Sequence, residues 1–312
     1  MMKQSSMQSD AVKMAALFFA LSLLLIWLPA VGIFLAVLIP FPIAFFTYKY
    51  ELNFGIGFGL VAFFLLYLIT GVLSLFLFLL LVVPGVVLGE LYRRDYPAFG
   101  VFAGTALSTV GAVVILYLGA MLLFDVDLVG EFQEAMTESA EMSEQLLMIT
   151  DGGATDAMDG IYELIEHIPV IAPALIVIFG VAFAFITQIA TGGILRKQGF
   201  NAGRFPPLRA WYFSKAFIWY YLLMYMFILM DFDQGTAVHT VVSNLRPILE
   251  TVMVIQGFAL IFYYFYNKGK TMALPLAIMI VTLLFPLFLQ IVRILGIIDL
   301  GFDLRKRMSD QG

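Results

Sequence analysis

Long apolar runs alternate with short polar ones along this chain. A helix of roughly 20 apolar residues spans the hydrocarbon core of a bilayer. Runs of this kind cover 13–29, 31–48, 55–69, 72–91, 102–124, 170–195, 216–230, about 251–266 and 271–298. The second carries Pro40 and Pro42, and the ninth is broken by Pro286. In lipid every backbone amide needs a partner inside the chain, so these runs predict helices rather than isolated strands. The expected fold class is an all-α integral membrane protein with about eight or nine transmembrane helices. The first run follows a short basic flank, as a signal peptide does. No small-residue cleavage site precedes the next span, so it reads as an uncleaved first span.

One stretch breaks the pattern. In 125–168 the acids Glu131, Glu134, Glu138 and Glu141 recur at helical spacing, while Phe132, Ala135, Met136 and Leu146 fall mainly on another face. This predicts an amphipathic helix ending near Asp151-Gly152-Gly153. A second short helix is expected over 156–168.

Composition explains why lipid is the solvent. Of 312 residues 62% are hydrophobic and 12% charged, the latter about half the share of a soluble domain. A soluble core of this size cannot hide so much apolar surface. There is no Cys, which excludes disulfides, thiolate metal sites and cysteine nucleophiles. The net charge of −5 conceals a segregation. Residues 125–166 hold twelve acids and no Lys or Arg, and the rest holds ten acids and seventeen bases. The two parts are expected on opposite sides of a cell membrane. With the N-terminus cytoplasmic, Lys49, Arg93, Arg94, Arg196 to Lys215, Lys268 and Lys270 all fall inside, and 125–168 falls outside. The alternation fails once. Nine spans place Arg305, Lys306 and Arg307 outside, unless the last run bends back at Pro286. Two passes of about 13 residues would be too short to span, which favours nine spans and leaves the basic tail in conflict with the alternation.

Candidate chemistry is sparse. Gly269-Lys270-Thr271 resembles the tail of a phosphate-binding loop, but Tyr264 stands where its leading glycine belongs. Gly55, Gly57 and Gly59, and Gly85 with Gly89, fit close helix packing better than a dinucleotide loop. His167 with Glu163 and Glu166, and Asp151 with Asp156 and Asp159, match no recognised ligand spacing; they read as solvated charge, and no metal or cofactor is expected. Polar residues within spans carry more information, because burying them costs free energy. These are Gln188, Gln256, Gln290 and Arg293. Gln290 and Arg293 share a helix face. They form a possible intramembrane polar site, against the plainer reading of interhelical hydrogen bonds or snorkelling. No nucleophile–base set and no paired carboxylates occur within a span, so an enzyme is not expected. Nothing points to nucleic acid.

The order of features resembles the YybS-like family of predicted bacterial membrane proteins, whose function is unassigned. The residues that carry the likeness are Leu38-Ile39-Pro40-Phe41-Pro42-Ile43-Ala44, Val83-Pro84-Gly85-Val86-Val87-Leu88-Gly89, the Pro206-Pro207 loop with Trp211, and Leu300-Gly301-Phe302-Asp303. The first six spans are also similar to the substrate-binding S components of energy-coupling-factor transporters. In those a small-residue pattern on the first helix contacts a membrane coupling subunit, and Ala16 with Ala20 occupies that place here. The resemblance implies an S-component-like membrane domain over 1–198, with an acidic insertion at 125–168. A second part, 199–312, would then hold a basic loop and two to three further spans. The expected function is a small-solute-binding, transporter-like module without its own ATPase, meeting the lipid bilayer, a small-molecule ligand and a coupling subunit or other membrane protein. The alternative is a scaffold or regulator acting through the acidic outer segment or the basic inner loop.

Overall fold

The computed structural model describes residues 2–149, 155–230 and 232–309. Every regular element among them is helical. The predicted stop at 151–153 lies outside the described residues. The helices are α1 Met2–Trp27, α2 Pro29–Leu35, α3 Pro40–Tyr50, α4 Leu52–Thr70, α5 Leu73–Leu77, α6 Val83–Arg93, α7 Ala98–Phe124 and α8 Leu128–Ile149. They continue with α9 Thr155–Glu166, α10 Ile168–Lys197, α11 Ala216–Leu229, α12 Ala237–Asn267, α13 Ala273–Leu284, α14 Pro286–Phe302 and α15 Leu304–Ser309. Seven helical stretches among the described residues are long and apolar enough to cross a membrane; α11 and α13 are apolar but shorter.

The chain divides into two compact units: residues 1–134 with 175–205, and residues 135–174 with 206–312. The acidic segment beyond residue 134 thus belongs with the C-terminal helices. In the first unit α3 and α6 pack closely. Prolines sit where they cost no hydrogen bond, at the starts of α3 and α6. Gly85 and Gly89 face the backbone of α3, where a side chain would collide with Pro40 and Ala44. Ile43, Phe18 and Leu66 fill one part of the core, and Ala44, Leu88 and Leu195 another. Glu90 takes two hydrogen bonds of 2.8 Å from Arg93 and one of 2.6 Å from Arg94, the ion pair expected of a helix end.

In the second unit α12 is the axis. It begins at Ala237, well before the expected start near residue 251, and runs through Pro247. The ninth predicted span is two helices, not one. Phe285 leaves the helical region (φ −120°, ψ 95°) and Pro286 opens α14. A proline interrupts the hydrogen-bond ladder and disfavours helical geometry in the residue before it. The direction of α14 follows from its partners. Glu250 meets Arg293, Gln256 meets Asp299, and Tyr263 donates to the carbonyl of Arg305. Both numbers rise together, so α14 runs parallel to α12. α13 starts directly after α12 ends, so it runs the other way and forms a hairpin with α14. The last run therefore bends back at Pro286, the alternative that the charge pattern left open. α14 continues to Phe302 and is longer than half of the run, whereas α13 stays too short for a full crossing. The 17 residues of α14 cover about 26 Å, and α13 covers about 18 Å. The hairpin brings Arg305 to the end of the unit that also holds Arg209 and Trp211.

Candidate functional site

Close approach of α12 and α14 requires two glycines. A side chain at Gly257 would strike the carbonyl of Val292, and one at Gly296 the carbonyl of Met253. Small residues let helix backbones meet in lipid, and polar side chains on either side of the contact then reach across.

Towards the start of α12, Glu250 Oε1 is the hub. It accepts from Arg293 Nη1 at 2.6 Å, from Tyr225 Oη at 2.9 Å and from Arg246 Nε at 3.2 Å. Arg246 and Glu250 are four apart, the spacing that puts them on one helix face. Two guanidiniums against one carboxylate leave the cluster net positive. Towards the end of α12, Gln256 is fully buried. Its Oε1 accepts from the Phe213 amide at 3.0 Å and its Nε2 donates to Asp299 Oδ2 at 2.5 Å. Arg305 Nε donates to the same oxygen at 2.9 Å, and its Nη1 donates to the carbonyls of Trp211 and Arg209 at 2.7 and 3.0 Å. Asp299 is 0% exposed. Its Oδ1 and Arg305 Nη2 are buried and make no hydrogen bond among the described residues. Beside this knot Asp303 accepts from Tyr212 at 2.7 Å and pairs with Lys215. Lys215 and Tyr212 hold the Asp303 carboxyl below the usual carboxylate range. Burial, and then Asp303, push the Tyr212 hydroxyl up to about 12.

A cavity of about 620 Å³ opens beside the first cluster. Glu163, His167, His239, Arg246 and Glu250 line it, with Phe227 and Ile228 among its apolar walls. One of its walls is held by Asn244. Pro173 lies inside α10, and Asn244 of α12 grips that kink, accepting from Ala174 N–H at 2.9 Å and donating to the Val170 carbonyl at 2.8 Å. The volume falls within the range of small-molecule sites, about 300–1,000 Å³, and a few polar groups converging in an apolar wall are their usual form. Among the described residues no group of acids and histidines is arranged to hold a metal ion.

The expected polar residues do not form one site. Gln256 and Arg293 lie in the two separate clusters of the second unit. Gln290 is exposed. Gln188 is in the first unit and bonds the Ala98 carbonyl at 2.8 Å, an interhelical link. Ala16 and Ala20 are both exposed on α1. Sequence reasoning missed Arg246, Glu250, Asp299 and Arg305, which it left in loops or tail. The i, i+4 spacing of Arg246 and Glu250 was the available signal.

These features define a multi-pass, all-helical membrane protein. The chain belongs to the family described as predicted membrane protein DUF2232, whose model matches residues 16–300. It is similar to the "Uncharacterized protein YybS" of Bacillus subtilis (strain 168), 23% identical over 99% of this chain and all of that one. No solved structure matches it.

Proposed function

We propose that the protein is a cell-membrane module that binds a small charged or polar solute in the cavity lined by His239, Arg246 and Glu250. The observation that carries this reading is the cavity itself. Both histidines of the chain, two carboxylates and an arginine converge there within apolar walls. Arg246 stands among the carboxylates of Glu163 and Glu250 in the lining, so the cavity suits a solute that carries both a cationic and an anionic group. In this reading the N-terminus and basic loops are cytoplasmic, and 125–168 with the cavity mouth face outward. The hairpin at Pro286 supports it, because the tail then rejoins the other cations. The protein acts without an ATPase of its own and without catalysis, so uptake needs a coupling partner; Ala16 and Ala20 lie exposed for such a helix. The test is native mass spectrometry of the purified chain for a retained small molecule. An adduct lost in Arg246→Ala and kept in Gln290→Ala is expected. No adduct with the native chain, across a screen of charged and polar metabolites, overturns the reading.

A second reading has its own observation. Glu131, Glu134, Glu138 and Glu141 are all exposed on α8, as are Phe132 and Met136. That face suits a scaffold that docks another protein through the acidic segment. Cross-linking at Phe132 in whole membranes distinguishes the two, since a pure solute module captures no protein there.

A further inference from the structure

The second unit contains another cavity, of different character. It measures about 740 Å³ and lies among α12, α13 and α14. Ile261, Ala277, Val281, Ile291 and Leu295 contribute to its walls. Only Tyr264 and Thr282 among its lining residues carry a hydroxyl. Water needs two to four polar partners to occupy such a space, and these walls do not provide them. An apolar body is what fits.

One end of this cavity is different. Leu304 and Met308 of α15 line it together with Tyr264, near the end of α12, and Leu274, at the start of α13. The residues next to these are Lys268 and Lys270, in the turn between α12 and α13, and Lys306 and Arg307 on α15. All four are exposed. The nearby acid Asp303 is held by Lys215 and Tyr212. Cations therefore outnumber acids in the two short segments that adjoin these lining residues along the chain. A basic pocket between membrane helices recognises an anionic lipid headgroup.

We propose that this cavity holds one acyl chain of an anionic phospholipid, with its phosphate among Lys268, Lys270 and Arg307. A zwitterionic lipid fits the walls equally well but brings its own cation to a basic mouth. Soluble phosphate matches the mouth but leaves the walls empty. This site is separate from the solute cavity, and neither proposal depends on the other.

The test uses the full chain in detergent, exchanged with an equimolar mixture of dioleoylphosphatidylglycerol and dioleoylphosphatidylcholine and read by native mass spectrometry. The native chain is expected to retain phosphatidylglycerol at least tenfold over phosphatidylcholine, with the preference shrinking as salt rises. Replacing Lys268, Lys270 and Arg307 together by Gln is expected to abolish the preference while circular dichroism stays unchanged. Ala277→Trp, which fills the chamber, is expected to lower occupancy by both lipids; Ala277→Leu serves if the tryptophan prevents folding. Equal retention of the two lipids by the native chain overturns the proposal. So does a preference that survives the triple Gln change, displacement by glycerol phosphate as effective as by whole lipid, or a lipid-free dimer that covers the groove.

Discussion

The two units treat buried polar groups differently. In the first, Thr47, Thr105 and Thr109 return their hydroxyls to carbonyls four residues back on their own helices. Gln188 makes one neutral bond to a neighbouring helix. In the second, charged groups cross between elements far apart in sequence: Glu250 with Arg293, and Asp299 with Gln256 and Arg305. A hydroxyl satisfied by its own helix asks nothing of its neighbours. A buried charge holds only while its partner stays in place. The first unit's ion pair between separate helices, Lys49 with Asp10, lies nearer the surface, whereas the second unit holds the wholly buried Asp299 against Arg305.

This contrast can be broken most sharply at Arg305. Arg305→Ala leaves the buried Asp299 carboxyl without its cation, and is expected to lower stability by about 3–5 kcal/mol, read as thermal unfolding in detergent. Asp299→Asn combined with Arg305→Met, which removes both charges, is expected to cost clearly less. Gly296→Val comes next. Its side chain would strike the Met253 carbonyl, and the forced separation of α12 from α14 is expected to cost about 1–3 kcal/mol. Glu250→Gln strands Arg293, whose side chain is 21% exposed, and is expected to cost about 1–3 kcal/mol. Gln188→Ala in the first unit is expected to cost only about 1 kcal/mol. If it matches Arg305→Ala, the distinction between the units collapses.

The smallest effect is one of pH. The Asp303 carboxyl is held low by Lys215 and Tyr212, so its contribution is present above the ordinary carboxylate pKa of about 4. It is lost as pH falls through the depressed folded value. Asp303→Asn is expected to remove that acid-side slope from unfolding curves and leave the midpoint near pH 7 slightly lower.

Hydropathy exposed the spans that are uniformly apolar, and the first six runs correspond to long helical stretches, the second and fourth of them built from two α-helices each. It failed where charge lies inside a helix. Arg246, Pro247 and Glu250 read as a loop, so α12 was started fourteen residues late, at 251 rather than Ala237. The chain supplies the answer only with Arg293, 43 residues beyond Glu250, which no local pattern reveals. Asp299 fell one residue past the assumed end of the ninth run. The basic tail did carry a warning, since the inside rule could not absorb it, and the bend at Pro286 is what that conflict recorded. The cavity around His167 and His239 was not legible, because it joins residues some 70 positions apart through the Asn244 contact to the Pro173 kink.

The hairpin has a consequence for how the protein is made. Synthesis proceeds at about 5–20 residues per second, so α12 emerges a few seconds before the partners of its polar side chains. During that interval Glu250 and Gln256 have neither Arg293 nor Asp299. α13 brings no charged side chain to meet them. α12 is therefore an unfinished helix when it first reaches the bilayer, and the last forty residues complete it. A chain stopped at Leu284 would contain all seven long apolar helical stretches found among the described residues and still lack the groups that let its central helix settle.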